Sequence, residues 1–471
     1  MLFIWTDCDR EGEDIGYEIL EVCRRAKPSM RVCRAHFSEM QAAAIHRAAQ
    51  NPVELNMQQV HAVELRRELD LRTGYAFSRY LTLHLQQALP HLFTTRNKPI
   101  SYGSCQFPTL GFVVDRYMER KNFVPESFWK IHMSYTPPNV PPTEQIKAEF
   151  NWKRQRIFDR FMCFVLFTTC YENPVVTVTK VERKRTTKRK PLPLTTVEMQ
   201  KLATRQLGMS GSRVMEVAED LYRAGLISYP RTETDQFDRR FQFEPLIRKH
   251  INDTRWGEHA RTLLAGEFER PRQGTHNDKA HPPIHPTGYD FNANMTADHH
   301  KVYELVARRF LGACWKDAVG YETIVDCQIA EEEFDTKGLI IVDRNYLNVY
   351  TYDSWRGNQI PEFQENDQFV PSELEMKEGQ TEAPKLLTEY DLISLMEKNE
   401  IGTDATIADH IQKILDRLYS YKDGQYFYPS TLGVGLVLGF GEIGFEESLS
   451  KPFLRRKVRK RISSSLACDL K

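Results

Sequence analysis

The chain opens on a short apolar run, Leu2-Phe3-Ile4-Trp5-Thr6, that breaks at once into Asp7, Asp9 and Glu11. Such a run before a polar turn predicts a short buried strand. Past Gly12, the residues Ile15, Ile19, Val22 and Cys23 recur at helical spacing, so a helix burying that face is expected. Strand, acidic loop and helix in this order form an α/β unit. From 52 to 89 the pattern is helical with few breakers, and a loop at 101–108 leads into another helix. Between 128 and 181 the character changes to short strand-like stretches with proline turns at Pro137-Pro138 and Pro141-Pro142. Arg183-Lys184-Arg185 and Lys188-Arg189-Lys190 then read as a basic linker. A compact helical block at 195–225 follows, ending in a strand. Ser210 or Ser212 is placed to cap its last helix and Gly225 to end it, with Val214, Val217, Ala218 and Leu221 as the core face. Strand-like runs return at 322–350, and the chain closes with helices from 387 to about 420 and a glycine-punctuated stretch at 432–444. The alternation of α/β, helical and β stretches predicts domains that the chain leaves and re-enters.

Composition changes this picture little. At 471 residues, with roughly 150 per domain, about three domains are expected. Hydrophobic residues make up 41% and charged residues 27%, ordinary for a globular chain. No apolar run reaches the ~18 residues of a membrane span. The longest, 161–171, is broken by Thr168 and Thr169, and the acidic start does not read as a signal peptide. The nine cysteines form no C-x-x-C pair, which argues against a zinc ribbon or a disulfide framework and for a reducing compartment. The 64 basic residues balance the 64 acidic ones. A uniformly basic nucleic-acid coat is therefore excluded, but a local basic channel is not. The second basic run, Arg455-Arg456-Lys457 with Arg459-Lys460-Arg461, reads as a solvated tail, with phosphate contact or a localisation signal as the alternatives.

Two segments carry candidate chemistry. Asp7-Cys8-Asp9-Arg10-Glu11 places three carboxylates at alternate positions after a strand, and in extended geometry alternate residues face one way. Hard oxygen donors converging on one point suit Mg²⁺; an acidic surface turn is the plainer reading. The second is Leu226-Ile227-Ser228-Tyr229-Pro230-Arg231-Thr232-Glu233-Thr234-Asp235. A neutral tyrosine hydroxyl is a poor nucleophile, and a guanidinium two residues along a strand would favour the phenolate and stabilise an attacked phosphate. His281 and His285 are four apart, the spacing of a helical metal pair, but Pro282, Pro283 and Pro286 argue against a helix there.

The acidic segment resembles the Toprim motif of topoisomerases, primases and some nucleases. The decamer around Tyr229 is similar, almost letter for letter, to the active-site segment of type IA DNA topoisomerases, of the eukaryotic topoisomerase III alpha kind. Further segments match that family in the same order, over about residues 1–450. Ser101-Tyr102-Gly103-Ser104-Cys105-Gln106 resembles its single-stranded-DNA loop, and Arg66 to Asp70 with Ser78-Arg79 its gate helix. Ala280 to Thr287 resembles its A-H-P-P-I-H-P-T segment, and Ile401-Gly402-Thr403-Asp404-Ala405-Thr406 its late I-G-T-D-A-T segment. Glu400 stands where the family usually has glycine.

The resemblance implies a multidomain α/β, α and β torus. Its parts would be a partial Toprim domain (1–48), a first helical gate part (49–124) and a first β-arch part (125–190). A winged-helix-like tyrosine domain (191–318), a second arch part (319–384) and a second gate part with a basic tail (385–471) would complete it. Tyr229, Arg231, Glu11 and His281 would be catalytic, and Asp7, Asp9 and Glu11 would bind Mg²⁺. Arg79, Ser101 to Gln106, Thr403 and Asp404 would contact DNA. The expected reaction cuts and reseals one strand through a 5′-phosphotyrosine without ATP, relaxing negatively supercoiled DNA and resolving recombination intermediates. The absence of any Gly-Lys dipeptide, and hence of a P-loop, agrees. A RecQ-family helicase, an OB-fold accessory protein and a nuclear location are implied by the same resemblance. The family's first Toprim strand, with a Glu and a Lys, and its C-terminal zinc-finger region have no counterpart here. The chain alone is therefore expected to bind single strands but relax DNA poorly, with the region before about Ile45 the least stable. A Toprim primase or nuclease, or a non-catalytic scaffold, are the competing readings.

Overall fold

The structure is a computed structural model describing residues 1–38, 42–91, 93, 99–138, 146–289, 295–403, 406–443 and 448–453. Strand β1 (Leu2–Ile4) pairs in parallel with β2 (Val32–Arg34), and α1 (Arg10–Ala26) lies between them in sequence. Asp9 caps α1 by accepting from the Gly12 amide at 2.7 Å. The buried face of α1 is Gly12, Glu13, Asp14, Gly16 and Leu20, whereas Ile15, Ile19 and Val22 are exposed. Close packing explains the departure from the expected face. A Cβ on Gly16 would sit 3.0 Å from Ile4 and 3.2 Å from Leu55, so the helix meets its neighbours on its small-residue side. That side also buries the ion pair of Glu13 with Arg34, at 2.9 Å.

Helices α2 (Ala42–Gln50), α3 (Met57–Ala88) and α4 (Gln106–Lys121) follow, then β3 (Ser127–Tyr135), β4 (Ala148–Trp152), α5 (Arg160–Glu172) and β5 (Val176–Lys188). Helix α5 is the longest apolar run seen in sequence; it buries Cys163 and Cys170 and leaves Phe161, Met162 and Phe164 exposed. No described helix is long and apolar enough to cross a membrane. Next come α6 (Thr196–Gln206), α7 (Gly211–Arg223), α8 (Glu244–Arg248), α9 (Gly257–Thr262) and α10 (Ala297–Ala313). The chain returns through β6 (Ala318–Ile329), β7 (Glu332–Asp343), β8 (Gln368–Phe369) and β9 (Glu373–Gln380). It ends in α11 (Glu389–Lys398), α12 (Ile407–Asp416), the hairpin β10 (Ser420–Asp423) and β11 (Tyr426–Pro429), and α13 (Thr431–Glu442).

Three apolar cores organise these elements, and each draws on distant stretches of chain. Phe107, Leu110 and Val114 of α4 pack with Ile393, Ile411 and Phe440 from the end of the chain. The glycine-punctuated stretch is helix α13, and Gly433 is required there because a Cβ would collide with the Tyr419 carbonyl. The second core lies on a seven-stranded antiparallel sheet ordered β8-β5-β6-β7-β4-β3-β9. The basic run read as a linker is part of this sheet: Arg183, Lys184 and Arg185 of β5 pair with Thr323, Glu322 and Tyr321 of β6. Their charges stay toward solvent, as in the Lys184–Glu322 ion pair at 3.1 Å. Lys190 is 1% exposed, its Nζ donating to the Glu269 carboxylate at 3.1 Å. The third core joins α7 and α10 with Tyr346 and Val349, and it contains Tyr229.

Candidate active site

Helix α7 aims the tyrosine segment. Ser210 caps it, receiving the Arg213 amide at 3.4 Å, and Gly225 ends it in a left-handed turn at φ +72°. Val214, Val217, Ala218 and Leu221 are fully buried, as the spacing predicts. Residues 226–234 form no strand; a single bridge ties Ile227 to Pro286. The segment is instead clamped by side chains. Thr196 Oγ1 donates to the Pro230 carbonyl and accepts from the Thr232 amide, both at 2.7 Å. The Ser228 amide donates to the His285 carbonyl at 2.9 Å.

This clamp presses Tyr229 against the α/β unit. The side chain is 2% exposed, and its ring packs on Tyr222 and His281 at centroid distances of 5.2 and 4.5 Å. Its hydroxyl donates to Asp9 Oδ2 at 2.5 Å, and its amide donates to the Ser38 carbonyl at 3.0 Å. Burial pushes the phenol far above its usual range, the Asp9 and Asp7 charges add to the rise, and Arg231 opposes it. Arg231 is held by Glu219 at 2.7 Å.

The three acidic residues do not gather as the alternate spacing predicted. Asp9 is the cap of α1 and Glu11 lies in its first turn, so extended geometry stops between them. Asp9 uses Oδ1 on the Gly12 amide and Oδ2 on Tyr229, and Glu11 pairs with Arg66 at 2.9 Å. Among the described residues no group of three or more His, Cys, Asp or Glu is placed to hold a metal ion. The Asp7 carboxyl is raised, first by desolvation and then by Asp9 and Glu219. A cation would be welcome there, but this donor set does not fit one as arranged.

The two histidines also part. His285 is buried with its ring 5.1 Å from Phe241 and its Nδ1 2.7 Å from the Pro283 carbonyl. His281 faces the tyrosine, with Nδ1 3.8 Å from Asp278, and its buried Nε2 has no hydrogen-bond partner among the described residues. Asp278 organises this corner. It accepts from the Ala280 and His281 amides, both at 2.9 Å, and from Thr232 Oγ1 at 2.9 Å. Burial alone would raise its carboxyl, but these bonds and His281 hold it well below the usual range.

Asp9, Glu11, Arg66, Arg231, Asp278, His281 and Thr403 line one small cleft of about 130 Å³. The loop at 101–106 has a mixed character. Tyr102 and Cys105 are core residues, Tyr102 packing between Phe77 and Phe107 at 4.9 and 4.8 Å, so their side chains are not free to contact DNA. Ser104 Oγ donates to Asp70 at 2.8 Å, buried Gln106 accepts from Arg417, and Gly103 lies close over Gln106. Ser101 is half-buried, and Arg79 on α3 is exposed beside Ser78, which receives the Tyr102 amide. Asp404 lies outside the described residues. Sequence reasoning missed Ser38, Glu219 and Asp278. Only Asp278 left a signal, three residues before His281.

Comparison with known proteins agrees with this geometry. Residues 54–464 match the family described as DNA topoisomerase, and residues 1–40 match the Toprim domain. The chain is 45% identical over 465 residues to DNA topoisomerase 3 of Schizosaccharomyces pombe, covering 97% of this chain and 73% of that one. It is 46% identical over 469 residues to DNA topoisomerase 3-alpha of Homo sapiens, covering 99% of this chain and 46% of that one. It thus spans about half the length of the human relative. Full-length topoisomerase I of Thermotoga maritima shares the fold, with a TM-score of 0.75 at 24% identity over 98% of this chain and 73% of that one. The multidomain torus expected from sequence is the fold of this relative. A buried tyrosine clamped onto the acidic end of a Toprim unit, on a chain that the Toprim and topoisomerase families match in turn over 1–40 and 54–464, places the protein in the type IA DNA topoisomerase family.

Proposed function

We propose that this chain cuts and reseals one strand of DNA through Tyr229, without ATP. The observation that carries this reading is the Tyr229 hydroxyl, held 2.5 Å from Asp9 at the junction of the tyrosine body and the Toprim unit. Tyr229 Oη attacks the phosphorus of a phosphodiester and gives its proton to the adjacent Asp9 carboxylate. The bond from phosphorus to the 3′ oxygen breaks, and that oxygen takes up a proton from solvent and leaves as a hydroxyl, so the proton released by Tyr229 is balanced by one taken up. The product is a 5′-phosphotyrosine, and attack by the 3′-hydroxyl reverses it. One phosphoester replaces another, so no energy source is consumed. Arg231 supplies positive charge where negative charge develops, and His281 Nε2, unpaired in the described structure, is aimed to donate to a phosphate oxygen.

The Toprim match supports a divalent cation, Mg²⁺ in our reading, held by Asp7, Asp9 and Glu11. With Glu11 committed to Arg66 and Asp9 to Tyr229, these carboxylates must be re-aimed before they hold it. The strand would enter past Arg79, Ser101 and Thr403, and Asp404, outside the described residues, belongs to the same reading. The six-part domain division expected from sequence, relaxation of negatively supercoiled DNA, a RecQ-family helicase and an OB-fold protein as partners, and nuclear work on recombination intermediates belong to the same proposal.

The test is a labelled single-stranded oligonucleotide and a denaturing gel. The chain forms a covalent adduct, and Tyr229→Phe forms none while still binding the strand. An adduct that survives Tyr229→Phe overturns the assignment.

A further inference from the structure

A second cavity, of about 930 Å³, meets the cleft only at Ala280 and His281. Its charge balance differs. The cleft sets Asp9, Glu11, Glu233 and Asp278 against Arg10, Arg66 and Arg231, whereas the cavity has one carboxylate, Asp238, against Arg239, Arg270 and Lys279. Arg270 is fixed, donating to the Asp238 carbonyl and lying 5.1 Å over the Phe243 ring. Arg239 and Lys279 are exposed, and among the described residues neither has an ion-pair partner. Cations with their charge unspent on one wall suit an anionic ligand. The half-buried ring of Phe241 in the same wall suits a flat one.

Lys279 is also strained. Its φ is +60°, a left-handed conformation unfavourable for a residue with a Cβ. The turn is locked into it: the Lys279 amide donates to Asn277 Oδ1 at 2.7 Å, and Asp278 Oδ1 takes the next two amides. A strained residue two positions from His281 that also lines the cavity is an outlier that points to use.

The third observation is ownership. Every lining residue except Ser38 comes from 234–282, the same body as Tyr229. Ser38 belongs to the Toprim side, and its carbonyl holds the Tyr229 amide. Any parting of the two bodies would therefore carry the cavity away with Tyr229 and remove its Ser38 wall. A cleaved strand has two ends, and only the 5′-phosphoryl end is fastened to that body.

We propose that this cavity holds the strand attached to Tyr229, with Arg239 and Lys279 on the phosphates of the first nucleotides beyond the cut. The inference rests on the phosphotyrosine reading above. It gives the broken strand two separate holds, one on the cleft side for the 3′-hydroxyl end and one in this cavity for the other.

The experiment compares two fluorescent single strands: one spanning a mapped cut site, and one ending at that site with nothing beyond it. Binding is measured by anisotropy over a range of salt, in the Tyr229→Phe chain so that nothing is cut, with and without Arg239→Gln plus Lys279→Asn. Asparagine tolerates the left-handed turn, so the pair removes charge without adding strain. Each lost phosphate contact on a single strand lowers the slope of log K against log salt by about 0.7. The spanning strand should therefore lose about 1.4 from its slope and roughly tenfold in affinity at low salt, while the short strand changes in neither. An unchanged slope for the spanning strand, or equal losses for both strands, overturns the inference. The unsubstituted chain is tested in parallel for adduct on the spanning strand. No adduct removes the phosphotyrosine reading and this inference with it; an adduct with an indifferent salt slope removes this inference alone.

Discussion

Glu400→Gly should make the protein more stable, although it deletes a whole side chain. Helix α11 ends at Lys398 with Asn399 as its cap, so Glu400 is the first residue beyond. The Glu400 amide bonds to the Glu397 carbonyl at 3.0 Å and the Ile401 amide to the Met396 carbonyl at 2.9 Å. That is a Schellman ending, completed by the buried pair Ile401 and Met396, and it calls for a left-handed residue at Glu400. Glu400 complies at φ +58°. The turn that the family makes with glycine is thus kept, and its cost is carried as strain. A side chain in that region costs about 1–2 kcal/mol. Glycine removes that cost but gives back about 0.5–1 kcal/mol through greater freedom of the unfolded chain. Among the described residues the Glu400 carboxylate forms no ion pair, and the cavity it lines carries both acids (Glu198, Glu233, Asp235, Glu397) and bases (Arg189, Lys190, Arg272, Arg309), so no direct charge contact is lost. The net gain is about 0.5–1 kcal/mol, or roughly 1–4 °C in a domain of this size. Scanning calorimetry reads it directly. Glu400→Ala is the control, because alanine keeps the Cβ and should gain nothing. Glycine melting no higher than alanine would refute the strain argument.

Two further outcomes are expected. Arg231→Ala should slow adduct formation by about 10²–10³ in single-turnover assays while leaving strand affinity nearly unchanged; cleavage at the parent rate would make Arg231 structural. Glu13→Gln leaves the fully buried Arg34 without its counter-charge and should cost about 3 kcal/mol, read as faster hydrogen exchange in β2. Burial opposes the Glu13 carboxylate, but hydrogen bonds from His36 and the Asn56 amide, with the Arg34 charge, hold its pKa below 4.5. Its stabilisation is therefore complete above that value and lost as pH falls through the lower folded one, so Glu13→Gln should flatten the acid limb of the melting curve.

What could be seen in advance was local. The core face of α7, its Ser210 cap and the Gly225 turn follow from spacing and propensity over a dozen residues, and the structure repeats them. The misreadings needed a partner far along the chain. Arg183 to Lys188 have the composition of a linker; only a ladder to β6, more than 130 residues later, makes them a strand. The face of α1 was misjudged because apolar periodicity counts bulk, whereas Gly12 and Gly16 are buried for want of it. In the site, Tyr229, Arg231 and His281 were legible from their segments, and the structure gathers them. The acidic triad was not, because the start of α1 at Arg10 re-aims Glu11 and gives Asp9 two other bonds.

Those two bonds make Asp9 the point where closure and chemistry meet. Tyr229 cannot reach a phosphate while its hydroxyl is shut against Asp9, yet the same carboxylate is the nearest acceptor for the proton it must lose. The Asp9→Asn variant separates the two roles. Asparagine caps a helix as well as aspartate, so α1 should survive with the amide oxygen on the Gly12 N–H. The bond to Tyr229 then becomes neutral on both sides, a loss of about 1–1.5 kcal/mol, and the junction should open roughly tenfold more often. The Tyr229 amide reports this directly, because its N–H is bonded across the junction to Ser38. Its hydrogen exchange should quicken about tenfold in the free protein, while adduct formation falls because the proton acceptor is gone. A residue that merely supports the fold would not give these opposite movements; general loosening without loss of cleavage, or loss of cleavage with unchanged exchange, would each show that Asp9 has only one of the two roles.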